Sequence, residues 1–158
     1  APWAHMRDRY LDKVTFQNAL DLVDEIKPRV LYLALGAPDE DAHRGNYEGY
    51  LLSARQMDSY IRRLMEKLEG MPEYAGRTSY IVTVDHGRGL QQDWTSHGRN
   101  TPHSDEIWLA LLGPDVASHG EITRECNVEL GQVASTVAAM LGESYSNEKE
   151  VAPPLPYR

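Results

Sequence analysis

Three short apolar runs limit what this chain can fold into: Val30–Leu35, Tyr80–Val84 and Ile107–Leu112. Each has the length of a strand, and an unbroken run such as Val30–Leu35 suits a strand covered on both faces, as in a parallel sheet. Helical patterns alternate with them. Val14 to Leu20 opens a helix with Thr15 as its N-cap, apolar residues at 16, 19, 20, 23 and 26, and Pro28 as its stop. After a loop from Gly36 to Gly45, Asn46 caps a long helix from Tyr47 to about Leu68, with apolar positions 47, 50, 51, 54, 57, 61, 64, 65 and 68. Asp58 interrupts that stripe and reads as an aspartate hydrogen-bonded under a loop. Gly70 to Gly76 is the return loop to a second strand, Thr78–Val84, through a crossover that should be right-handed. Gly113-Pro114 ends the third strand, and Asn127 to Leu141 is a closing helix stopped at Gly142. This rhythm predicts an α/β domain with a core over 14–142. The tail, 143–158, carries Pro153, Pro154 and Pro156 and should lie extended on the surface.

Composition narrows the function. At 158 residues the chain is one domain's worth, and no apolar run approaches the roughly 20 residues needed to span a bilayer, so no membrane partner is expected. A net charge of −8 argues against a general nucleic-acid binder, which needs clustered Lys and Arg. An anionic substrate would have to be attracted by bound metal instead. The single cysteine, Cys126, excludes an internal disulfide and a thiolate-rich zinc site. Ala1 to Met6 lacks the basic start and apolar stretch of a secretory signal.

The chemistry gathers where the runs end. Asp39 and His43 follow the first run, Asp85 and His86 the second, and His97 lies in the segment leading to the third. That segment, Asp85 to Ser104, is about twenty residues without helical or strand period, a length usually kept for function. In open α/β sheets the crevice beyond the carboxyl ends of the strands is where ligands bind. Gly87 and Gly89 let the backbone come close there. Any one of these histidines alone would read as a solvated loop residue; the set points to a metal. Asp39, His43 and His97 form a three-ligand set with an open position, of the kind catalytic zinc uses. Asp85 and His86 would serve a second ion about 4 Å from the first, a pairing that suits phosphoryl or sulfuryl transfer. His103 competes with His97 as the third ligand, and Gly98 favours His97 because it frees the backbone to turn inward. Arg88 and Arg99 flank the proposed metals and could hold substrate oxygens bidentately. His5, His119 and Glu40 read as surface groups, and Asp41 has no nameable partner.

The order Asp-x-x-x-His, Asp-His-Gly and His-Gly, each after an apolar run, resembles the carboxyl-terminal half of the alkaline phosphatase superfamily. That group includes nucleotide pyrophosphatase/phosphodiesterases, sulfatases and cofactor-independent phosphoglycerate mutases. Asp39, His43 and His97 match ligands of its first metal, Asp85 and His86 two ligands of its second, and Ile107 to Pro114 its following strand and turn. The resemblance covers roughly Lys27 to Gly142 and implies a three-layer αβα sandwich with a mostly parallel sheet. It also implies two divalent ions, zinc or else manganese, and a small phosphorylated or sulfated substrate. A periplasmic or secreted location and a homo-oligomer are compatible with it. The nucleophile is where the match fails. Family members carry a further Asp ligand and a Ser or Thr nucleophile in an amino-terminal half, and nothing upstream of Asp39 supplies that pair. Thr83, Thr95, Ser96 and Thr101 stand in the wrong context. The expectation is therefore the carboxyl-terminal portion of a hydrolase of phosphate or sulfate esters, silent without its amino-terminal half. A phosphoglycerate mutase-like phosphotransferase and a non-catalytic metal-binding fragment are the alternatives.

Overall fold

The first helix, α1, runs Pro2–Ile26 and buries a single face. Phe16, Ala19 and Val23 recur at helical spacing and are buried, while Thr15, Gln17, Asn18, Leu22 and Asp24 beside them are exposed. The computed structural model describes residues 2–123 and 127–158, with side chains from residue 8 onward, so Cys126 and the side chain of His5 lie outside the described residues. The helix starts twelve residues before the expected opening at Val14, and Thr15 stands mid-helix rather than at a cap. Among the described side chains of that extension the inward positions are Asp8 and Asp12, two turns and one turn before Phe16 on the same face.

Two compact units divide the chain: residues up to Ala75 with His86–Glu106, and Gly76–Asp85 with Ile107–Arg158. In the first, α1 packs against α2 (Ala37–His43) and α3 (Tyr47–Glu69). Phe16 stacks on Tyr60 of α3 with ring centroids 4.2 Å apart, and the Arg63 guanidinium covers Phe16 from 5.0 Å. The α3 cap is as expected, with the Asn46 side chain accepting from the Gly49 N–H at 3.1 Å. Its buried face differs from the apolar stripe. Gly49, Ser53, Tyr60 and Leu68 are inside, and Tyr47, Leu51 and Leu52 are exposed. Small residues at 49 and 53 admit α2, and Ser53 donates to Asp41 at 2.6 Å, so this seam is polar and close rather than oily. Asp41, 1% exposed, also accepts from Asn46 at 3.0 Å, which gives it partners that the sequence did not show. Asp58 is exposed and pairs with Arg62 one turn on, not under a loop.

Val30–Leu35 is extended but forms no ladder, so the first expected strand is not one. Val30 and Tyr32 are exposed, Tyr32 to 89%. The sheet lies in the second unit and has two strands, β1 (Tyr80–Thr83) and β2 (Leu109–Leu112), paired antiparallel from Tyr80↔Leu112 to Thr83↔Leu109. Parallel neighbours need a crossover, whereas the segment joining these two holds only a 3-10 turn, Gln91–Asp93, so the chain returns in the opposite sense. A mixed α/β chain is observed; a mostly parallel sheet is not. Gly113, with φ 138°, ends β2 where an added Cβ would strike Ser79. The closing helix α4 spans Gln132–Met140, shorter at its start than the expected 127–141. It ends in a Schellman turn, with Gly142 at φ 77° and the Glu143 N–H bonded to the Ala138 carbonyl at 2.8 Å. The tail is extended, yet Leu155 and Tyr157 are buried rather than on the surface. Thr136 accepts from the Leu155 N–H at 2.9 Å and Ser135 donates to the Ala152 carbonyl at 2.7 Å, pinning the strap to α4.

Candidate metal centre

The stretch read as a loop from Gly36 to Gly45 contains α2, seven residues with Pro38 in its first turn. Its composition is acidic rather than apolar, which is why no periodicity betrayed it. Asp39 and His43 are four residues apart, so a helix presents both on one face. The Asp39 Oδ2 atom lies 3.3 Å from His43 Nε2. Onto this face the long loop brings His86 and His97. Their rings stack at 3.6 Å and 8°, both Nε2 atoms stand 3.6 Å from Asp39 Oδ1, and His97 Nε2 stands 2.9 Å from His43 Nε2.

These spacings suit a cation. Ligands about 2.05 Å from zinc at tetrahedral angles are about 3.4 Å from one another. The donor separations of 2.9, 3.3, 3.6 and 3.6 Å straddle that value. Asp39, His86 and His97 each offer an atom within 4.8 Å of the others. The protonation states also fit. Burial first, then the nearby His86, His43 and Arg88, holds the His97 imidazole below its ordinary value, and a ligating imidazole must be neutral. His86 Nδ1 lies 2.9 Å from the Gly87 carbonyl; donating its hydrogen there leaves the Nε2 lone pair facing Asp39. With His43 42% exposed, the cluster stays open to solvent, unlike a closed structural zinc site.

The loop is shaped for this. Gly87 N–H donates to the Ser104 carbonyl at 2.8 Å and Gly89 N–H to the Ser96 carbonyl at 3.0 Å, so the segment closes on itself just after His86. A Cβ on Gly87 would overlap the His103 and Glu106 carbonyl oxygens, which is the close approach its sequence position suggested. Gly98 is different: its φ is not left-handed and a Cβ would meet only Thr101 Oγ1 at 3.7 Å, so the placement of His97 does not depend on it. His103 is turned to Glu106, Nδ1 to Oε1 2.7 Å, and is not part of the cluster.

His86 stands in one group with Asp39 and His97. Asp85 belongs to the second unit, where it is exposed just past β1. Arg88 is not free for substrate. Its side chain is 14% exposed, and the guanidinium pairs with the Asp39 carboxylate and donates to the carbonyls of Asp39 at 3.2 Å and Trp94 at 3.3 Å. Burial lowers its pKa from the usual guanidinium value. Arg99 is exposed on an open cavity of about 590 Å³ that it lines with His97, Asn100, Thr101 and Ser104. His119 is exposed, and Glu40 pairs with Arg44 at 3.0 Å.

The sequence reading missed the residues that hold α2. Asp12 accepts from the N–H groups of Gly36 at 3.0 Å and Ala37 at 2.9 Å, and Asp8 pairs with Arg44 at 2.5 Å. A signal was present: positions 8, 12, 16, 19 and 23 form one helical stripe whose first two members are acidic.

Comparison with known proteins follows the same direction. Residues 5–145 match the family model described as Metalloenzyme superfamily. Over 106 residues the chain is 32% identical to a phosphopentomutase of Carboxydothermus hydrogenoformans, covering 67% of this chain and 23% of that protein. The chain thus spans under a quarter of the length of this curated relative. No solved structure gives a significant match.

Proposed function

Since this chain belongs to the Metalloenzyme superfamily, we propose that it carries the metal-binding part of a metal-dependent phosphoryl-transfer enzyme acting as a hydrolase of phosphate esters. One observation carries the reading: Asp39, His86 and His97, from a helix and a loop far apart in sequence, bring ligand atoms within 4.8 Å of one another, with His43 Nε2 2.9 Å from His97 and 3.3 Å from Asp39. Those four residues would hold the ion, zinc by its donor set or else manganese. When bound, it supplies Lewis-acid polarisation of a phosphoryl oxygen and a nucleophile at lowered pKa. Arg88 keeps the Asp39 carboxylate oriented, and Arg99 offers a guanidinium to a substrate oxygen beside His97. Asp85 is proposed as a ligand of a second ion once the remaining ligands are in place. The Ser or Thr nucleophile that the family resemblance implies is proposed to lie outside Ala1–Arg158. Further strands alongside Val30–Leu35 would build the mostly parallel, three-layer arrangement implied by the same resemblance.

The name of the relative favours phosphate over sulfate. It also supports a second reading, an intramolecular phosphotransferase, because that protein is called a mutase. One assay tests both. The protein encoded by the complete gene, stripped with a chelator and reloaded with Zn²⁺ or Mn²⁺, is offered nitrophenyl phosphate and pentose phosphates. Metal-restored release of inorganic phosphate is the expected result. Metal-restored isomerisation without release would replace hydrolase by mutase, and turnover indifferent to the chelator would overturn the proposal. The 158-residue chain alone should be silent on the same substrates.

A further inference from the structure

The helix that presents two of the ligands cannot hold itself in place. At seven residues α2 is about 10 Å long and well below the length at which an isolated helix persists. Metal ligands, in contrast, must be placed to within about 0.2 Å. The orientation of Asp39 and His43 must therefore come from outside α2.

It comes largely from α1. At one end, both oxygens of Asp12 are used, one on the Gly36 N–H and one on the Ala37 N–H, at 3.0 and 2.9 Å. These are among the first amides of α2, which have no acceptor within the helix. At the other end Arg44, the C-cap of α2, reaches Asp8 at 2.5 Å. Asp8 and Asp12 are one turn apart on α1, and α1 is itself fixed by Phe16, Ala19 and Val23 in the core. From below, Asp41 accepts from Ser53 and Asn46. A bidentate acceptor on two consecutive amides fixes both the rise and the rotation of the helix start, and rotation is what would swing Asp39 and His43 away from His86 and His97.

We propose that Asp12 is a positioning residue for divalent-ion binding, acting through the first amides of α2 to hold Asp39 and His43 in register with His86 and His97. The inference rests on the metal reading above but assigns a role to a residue that touches neither ion nor substrate. Loss of such supporting contacts costs about 10- to 100-fold in metal affinity.

The test is calorimetric titration of the 158-residue chain with Zn²⁺ near neutral pH, alongside thermal unfolding of the metal-free protein. Asp12→Ala should weaken Zn²⁺ binding by about ten-fold or more, and Asp12→Asn, which keeps one acceptor oxygen, should recover part of the loss. Asp21→Ala is the control, because among the described residues Asp21 accepts only from exposed Gln17 on the same helix at 2.8 Å; its affinity should equal the parent's. A merely structural role for Asp12 would lower the unfolding temperature and leave the affinity of the folded chain unchanged, and that result overturns the inference. If Asp12→Ala does not fold, Asp12→Asn decides: parental affinity in that variant overturns the inference, and weakened binding sustains it. A parent chain that binds no divalent ion would overturn the metal reading, and this inference with it.

Discussion

Replacing His97 by alanine separates the proposed centre from its sequence competitor, His103, most sharply. In zinc-finger peptides four ligands give apparent binding energies of about 10–16 kcal/mol, or roughly 2.5–4 kcal/mol per ligand. At about 1.4 kcal/mol per decade, one lost ligand corresponds to two or three orders of magnitude in affinity. The geometry sets where in that range each variant falls. His97 Nε2 lies 2.9 Å from His43 Nε2 and 3.6 Å from Asp39 Oδ1, inside the donor set, and its side chain is less exposed than that of His43, 30% against 42%. His97→Ala should therefore lose about 100-fold or more. His43 is the most exposed donor, water can replace it more readily, and His43→Ala should lose only about ten-fold. His103 is engaged with Glu106 at 2.7 Å, so His103→Ala should bind like the parent. Competition with a chromophoric chelator reads all three. Equal losses from His97→Ala and His103→Ala, or no loss from His97→Ala, would refute the assignment.

Phe16→Ala removes the ring that joins α1 to α3, 1% exposed and stacked on Tyr60, and should destabilise the chain by about 3–5 kcal/mol in urea unfolding; under about 1 kcal/mol would mean the core lies elsewhere. Gly87→Ala places a methyl against the His103 and Glu106 carbonyls, so the loop must open, costing about 1–3 kcal/mol and weakening Zn²⁺ binding; parental values for both would contradict the packing described. Acid should act through His97. Its folded pKa is lowered, so the unfolded chain takes up that proton first, and metal-free stability falls as pH drops through the ordinary imidazole range of about 6.5 and below. Unfolding temperatures measured across that range should show a shallower fall in His97→Gln, and an unchanged slope would exclude His97 as its source.

What was legible in the sequence was legible for a physical reason. Asn46 and the residues after it announce α3 because capping and helical propensity are local, and β1, β2 and the long loop are marked by apolar runs and by Gly113. The histidines stood out by residue type and by their place at the ends of those runs. Pairing was not legible. Whether Val30–Leu35 is a strand depends on a neighbour for its backbone, which its own side chains do not specify. Nor was the polar packing legible: Asp8, Asp12, Asp41 and Ser53 are drawn inward by partners distant in sequence, and apolar periodicity is blind to a face built from carboxylates and hydroxyls.

The clasp between Gly87 and Ser104 has an evolutionary consequence. It makes the intervening stretch a cassette whose two ends are stitched together near His86. Doubling the length of such a flexible excursion costs only about 0.6 kcal/mol. Asn100, Thr101 and their neighbours, which line the cavity, can therefore change in kind and number at little cost to the fold while the stitched ends hold His86 where it is.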